Sequence, residues 1–129
     1  MARRILETDF GVALLLVDSI TEISAADAGW IVLSGSHGGR SAASYAAAVP
    51  LALCIFNDAG IGKEEAGIAG LRLLDYPAAA CSHLTARIGD PQDAWENGVI
   101  STVNAAAKRC GLSSGVPLPV LVRRLAGTV

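Results

Sequence analysis

WIVLSGSHGGR, Trp30 to Arg40, decides the fold. Trp30-Ile31-Val32-Leu33 is an uninterrupted apolar run, which suits a strand buried on both faces. Ser34-Gly35-Ser36-His37-Gly38-Gly39 reads as a tight loop, and an alanine-rich helix follows from Arg40 to Val49, where Pro50 stops it. A strand that runs through a glycine-rich loop into a helix is the repeating unit of an open α/β sheet. Such sheets keep their ligand sites beyond the carboxyl ends of their strands.

The same pattern recurs down the chain. Leu51 to Asn57 is a third apolar strand, leading through Asp58-Ala59-Gly60-Ile61-Gly62 to Lys63. The apolar stripe of Ala66, Gly67, Gly70, Leu71, Leu73 and Leu74 predicts a helix over Lys63 to Tyr76. A fourth strand spans 78–83, ending in Ser82-His83. A long helix is predicted from Asp90 to Gly111, with Asp90 as N-cap, Pro91 in the first turn, Lys108-Arg109 in the last and Gly111 beyond the end. Its wheel puts Trp95, Val99, Val103, Ala106 and Cys110 on one face, with Glu96 inside the apolar arc as a possible acid or base. Upstream, Gly11 to Val17 is the first strand. The link from Thr21 to Gly29 is short for a helical crossover, so this strand is expected to run antiparallel to the second or to sit apart at an edge. In the tail, Val120-Leu121-Val122 fits either an edge strand or a helical turn. The expectation is one α/β domain over 1–129. Its architecture is three-layer α/β/α, with a mostly parallel sheet of four to five strands and right-handed crossovers.

Composition narrows the function classes. The 129 residues are 52% hydrophobic and 17% charged, against about 45–50% and about 25% in an ordinary soluble domain. Much of the excess is alanine, and a second copy of the chain covering part of the apolar surface is the favoured explanation, making a homo-oligomer the expectation. With net charge −2, no basic run longer than two residues and 5% aromatics, nucleic-acid binding is not expected. Cys54, Cys81 and Cys110 lack CxxC spacing and read as reduced thiols of a cytoplasmic protein, not as a zinc site. Met1 to Arg4 is basic and Gly11 to Val17 apolar, but Glu7 and Asp9 interrupt and no cleavage site follows, so no signal peptide is expected. No stretch approaches the roughly 20 apolar residues of a membrane span.

Three polar segments then converge at one rim. Ser34-Gly35-Ser36-His37-Gly38 approximates the nucleophile elbow G-x-S-x-G, with Ser34 in place of the first glycine. Ser36 is a candidate nucleophile or hydrogen-bond donor, His83 or His37 a base, and Asp58 the group that orients it. Asn57 to Glu64 approximates the phosphate loop G-x-x-x-x-G-K-[ST]. Asn57 replaces its first glycine and Glu64 its magnesium-binding hydroxyl, so triphosphate binding is not expected. Lys63, Arg40 and Arg87 are candidate anion contacts. Gly35, Gly38, Gly39 and Asn57 complete the ligand-binding set, the glycines through backbone N–H groups at a helix start. No metal ligand set and no cofactor motif is read. Two functions fit: a small enzyme, hydrolase or lyase, acting on an anionic or carbonyl metabolite, or a non-catalytic ligand-binding or assembly module. In the second, the loops bind a ligand without covalent chemistry or bind nothing, and in the plainest case the glycines only make a turn and the serines only cap a helix.

Through SGSHGG, NDAGIGK and WENGVISTVNAAA the chain resembles a group of small bacterial α/β proteins of uncharacterised activity, over about Asp18 to Gly111. The resemblance implies a compact α/β domain and brings no activity, cofactor or catalytic residue with it.

Overall fold

The computed structural model describes residues 3–127. Six strands form one mixed sheet whose spatial order is the chain order: β1 (Arg3–Glu7), β2 (Ala13–Val17), β3 (Ile31–His37), β4 (Leu53–Asn57), β5 (Ala78–Cys81) and β6 (Ile100–Val103). β2, β3, β4 and β5 are parallel to one another, whereas β1 and β6 pair antiparallel at the two edges. The α/β class is as expected. The sheet is larger and less parallel than expected, because two short segments without a strong apolar run, RRILE and ISTV, each add an edge strand.

The four inner strands bury both faces, as continuous apolar runs require. Alternation along them separates two clusters. Leu14, Leu16, Ile31, Leu33, Leu53 and Ile55 belong to one, with Leu118, Leu121 and Val122 of α4 (Leu118–Ala126). Leu15, Val17, Val32, Cys54 and Phe56 belong to the other, with Ala42 and Ala46 of α1 (Arg40–Ala47). Small residues on α1 let its backbone come close to the sheet.

Several predicted elements are redrawn. β2 is parallel to β3 and interior, not antiparallel or peripheral. Two 3₁₀ turns, Ile20–Glu22 and Ala25–Asp27, make the crossover in place of a helix. Arg3 on β1 clamps the second turn through Asp27, with contacts of 2.6 and 2.8 Å. The predicted helix 63–76 is two 3₁₀ turns, Lys63–Glu65 and Leu71–Leu73. The predicted helix 90–111 divides into α2 (Pro91–Asn97), β6 and α3 (Ala105–Arg109). Asp90 does cap α2, accepting from the Asp93 amide, and Gly111 does follow α3 with φ of 81°. Between them Gly98 is extended, and β-branched Val99, Ile100, Thr102 and Val103 favour a strand. Asn104 then caps α3. Its buried Oδ1 accepts from the amides of Ala78 and Ala107, while Nδ2 donates to the carbonyls of Leu71, Leu74 and Tyr76. The tail resolves as helix α4. Glu96 lies exposed on the short α2, so the apolar arc drawn around it does not exist.

Candidate active site

Parallel pairing in register brings the ends of three strands together. His37 of β3 pairs with Asn57 of β4, and Asn57 with Cys81 of β5. SGSHGG, NDAGIGK and SHLTAR therefore leave the same end of the sheet. SGSHGG is not wholly a loop, however, since β3 continues through His37. Leu33 pairs with Ile55 and His37 with Asn57, so β3 carries extra residues in a bulge across Ser34, Gly35 and Ser36.

The densest polar cluster at this rim is built on Asp58. Its side chain is 5% exposed, that of His83 46%. Oδ1 accepts from the amides of Gly60 at 2.8 Å and His83 at 3.0 Å, and His83 Nδ1 lies 3.3 Å from it. Oδ2 accepts from Ser101 Oγ at 2.7 Å. Burial alone would push the Asp58 carboxyl up, but the Ser101 hydroxyl, the two amides and the His83 imidazole outweigh it and hold the group below the ordinary carboxylate range. Asp58 is thus an ionised carboxylate beside a half-exposed imidazole whose Nε2 makes no hydrogen bond among the described residues.

Ser101 is the residue that sequence reasoning missed. It lies within the span 90–111 that the sequence predicts as one helix and that the structure divides. In the β5–β6 ladder Ala80 pairs with Thr102 and Cys81 with Ile100, which leaves Ser101 as the extra residue of a bulge. A bulge re-aims a side chain, and here the hydroxyl reaches Asp58 across the end of β5. A break at Gly98 followed by a β-branched run was the available signal for the strand. Only the strand pairing gives the bulge.

The other candidate residues are distributed as follows. Ser36 Oγ accepts from the amide of Ile20 at 2.9 Å, bracing the crossover after β2; among the described residues its hydrogen bonds do not run to a histidine. His37 is exposed and its Nδ1 accepts from the Gly39 amide at 3.0 Å. The Gly38 amide is also taken, by the carbonyls of Asn57 and Gly67, so these two N–H groups are spent within the chain. Gly35 is required by close packing: a Cβ there would lie 2.6 Å from the Asp18 carbonyl oxygen and from the backbone of Gly89. Asn57 is buried with both amide atoms used, Nδ2 on the Ala86 carbonyl and Oδ1 on the Ala59 amide. Arg87 is exposed beside α2, where its amide donates to Asp93 at 2.7 Å.

Two clefts open along the chain that follows Asp58, and neither is lined by Asp58, His83 or Ser101. His37, Ala59, Ile61, Gly62, Ala66 and Gly67 line one of about 200 Å³. Arg40, Lys63, Glu64, Ala66 and Ala69 line another of about 370 Å³, so Ala66 is common to both. The turn between them is unusual. Ala59, Gly60, Ile61 and Gly62 are consecutive residues with positive φ, and Glu64 and Glu65 share that conformation. For an L-residue each such backbone costs roughly 1–2 kcal/mol, most severely for β-branched Ile61.

Cys54, Cys81 and Cys110 are free, and burial raises the thiols of Cys54 and Cys81, the latter to about 11, so neither is a ready nucleophile. Among the described residues no group of three or more His, Cys, Asp or Glu could hold a metal ion, and no helix is long and apolar enough to cross a membrane. No protein-family model matches the chain, and no curated protein or solved structure matches it.

Proposed function

We propose that this chain is a small enzyme working by general acid–base chemistry, a hydrolase or lyase of a small anionic or carbonyl metabolite, on a three-layer α/β/α fold of the kind found in small bacterial α/β proteins. One observation carries the reading: a buried, ionised Asp58 held by three donors lies 3.3 Å from Nδ1 of a half-exposed His83. A carboxylate at Nδ1 favours the proton there, leaves a lone pair on Nε2 and stabilises the imidazolium once Nε2 has taken a proton. Hydrogen bonds of this kind are often long without substrate and tighten when it binds. Arg40 and Lys63 would attract the substrate anion from their cleft. Ser36 has no part in this reading, since its hydroxyl is held by Ile20. The free cysteines fit a cytoplasmic setting.

A thermal-shift screen of small carboxylates, phosphates and carbonyl acids tests it, run on wild type, His83→Gln and Asp58→Asn. A ligand near 100 times its dissociation constant adds about 2.7 kcal/mol, a rise of several degrees in Tm. The expected result is such a rise in wild type and its loss in both variants, followed by turnover of the stabilising compound. Equal shifts in all three proteins, or none with any compound, would remove the reading.

The assembly reading is favoured by a separate observation and is compatible with the first. Edge strand β1 leaves Ile5 58% exposed. We propose that a second copy of the chain pairs with it.

A further inference from the structure

The two histidines at the rim are set up as opposites by their neighbours. His37 Nδ1 accepts a hydrogen bond from the Gly39 amide at 3.0 Å, so it must carry a lone pair. Neutral His37 therefore bears its proton on Nε2 and can only donate there. Protonating the ring would set two donors against each other at Nδ1. His83 is the reverse: the Asp58 carboxylate at Nδ1 favours the proton on that nitrogen and leaves Nε2 as an acceptor. Both rings attend the same left-handed turn. His37 lines the cleft formed with Ala59, Ile61 and Gly62, while the His83 ring covers Gly60, where a Cβ would stand 3.4 Å from Cε1 and 3.5 Å from Nε2. A side chain on Gly60 would thus intrude beside the nitrogen that His83 presents. The cleft of Arg40 and Lys63 adjoins through Ala66, with Glu64 the one carboxylate in its lining.

A base, a neutral hydrogen-bond donor and an adjacent cationic cleft are the parts needed to draw a proton from carbon next to a carbonyl. We propose that His37 is a second catalytic residue and that the substrate class is a small carbonyl compound with an α-hydrogen and a carboxylate or phosphate group. In the step, His83 Nε2 takes the α-proton. The C–H electron pair becomes the carbon–carbon double bond of an enolate, and the carbonyl π pair moves to oxygen. The His37 Nε2–H donates a hydrogen bond to that oxygen without giving up its proton. The resulting His83 imidazolium is held by Asp58 and exchanges its proton with solvent, so reversal returns a solvent hydrogen to carbon. This rests on the general-base role of His83 proposed above and adds to it the enolising class and the role of His37.

The test is deuterium wash-in. Pyruvate, 2-oxobutyrate and dihydroxyacetone phosphate are incubated with the protein in D₂O and the α-protons followed by NMR, alongside ¹⁵N spectra of the two imidazoles. The expected result is exchange of at least one compound roughly 100-fold or more above buffer, the scale of positioned acid–base catalysis. It should be abolished in His83→Gln and lowered at least 10-fold in His37→Gln, with the His83 proton still on Nδ1 in the latter. The imidazole spectra should give neutral His37 with its proton on Nε2 and neutral His83 with its proton on Nδ1. His37 protonated on Nδ1, exchange unaffected in His37→Gln, or no exchange with any of the three compounds would each overturn the proposal. If ligand stabilisation still depends on His83 and Asp58, only the enolising assignment and the role of His37 fall; if it does not, the general-base reading falls as well.

Discussion

Asp58 shows how a single residue can be both the best-anchored polar group at the rim and the one most exposed to acid. Its folded carboxyl is held below the ordinary value of about 3.9. A depressed carboxylate stabilises the fold fully above its unfolded pKa, and that contribution is lost as pH falls through the lower folded value. Asp27 behaves alike: the hydrogen bonds from Arg3 bring it down against the opposing effect of burial. The two therefore weaken together in acid, and a variant is needed to separate them. Ser101→Ala removes one O–H donor from Asp58 and leaves Asp27 untouched. A hydrogen bond to a charged group is worth about 2 kcal/mol. Urea denaturation should give Ser101→Ala a deficit of about that size at pH 7, and a markedly smaller one at a pH acid enough to protonate the lowered Asp58 carboxyl. A deficit equal at both values would mean that Ser101 supports packing and not the carboxylate. Ser101→Thr keeps the hydroxyl and should recover much of the loss.

At the scale of elements, unbroken apolar runs are legible in the sequence, whereas helical spacing and helix caps mislead where partners decide the backbone. The inner strands were legible because Leu14 to Val17, Ile31 to Leu33 and Leu53 to Phe56 have no polar interruption, and only a strand covered on both faces tolerates that. α1 was legible because Gly39 and Pro50 bracket it. At the rim, the meeting of Asp58 with His83 was legible, because both stand just past the ends of neighbouring strands, while Ser101 was hidden by a false helix. That helix had genuine caps at both ends, Asp90 and Gly111, with a strand between them that only its β-branched run betrayed. The segment 63–76 misled differently. Its apolar spacing is helical, but Gly67 and Gly70 are present because backbone crosses them: a Cβ would meet the Asp58 carbonyl oxygen at the first and the Gly39 carbonyl oxygen at the second. Glu64 separates the two readings by sign. In a helix, Glu64→Gly costs about 1 kcal/mol. In the observed backbone, φ 55° and ψ 28° on an exposed side chain, glycine relieves left-handed strain of about 1–2 kcal/mol, partly offset by its extra unfolded-state entropy. Glu64→Gly should therefore raise stability by about 0.5 kcal/mol, read as a higher urea midpoint at unchanged slope. A lower midpoint would speak for the helix.

At the scale of the molecule, the antiparallel edges decide how the sheet ends. Beyond β6, the Ile100 amide donates to the Val116 carbonyl and the Gly115 amide to the Ile100 carbonyl, so the segment 115–117 covers the start of that edge. β1 stands last in the sheet at the opposite side, paired only to β2 among the described residues. Natural edges are commonly guarded by charge, and Arg3, Arg4 and Glu7 do guard this one against arbitrary partners. They do not guard it against itself. If two copies of RRILE pair antiparallel about a two-fold axis at Ile5, Arg3 faces Glu7, Arg4 faces Leu6 and Ile5 faces Ile5. Opposite charges across an antiparallel pair are favourable and an apolar pair at the centre adds to them. Arg3 is already fixed by Asp27, so Glu7 of the second copy would join an ordered guanidinium and would not have to order it. Ile5 lies in register with Leu15, and its 58% exposure is what such a partner would cover. Sedimentation equilibrium at tens of micromolar should therefore give twice the 13.2 kDa chain mass. Ile5→Lys sets two ammonium groups against each other on the axis and should give the monomer with Tm within a few degrees of the wild-type protein. A monomeric wild type, or an Ile5→Lys variant that still dimerises, would rule out pairing through β1.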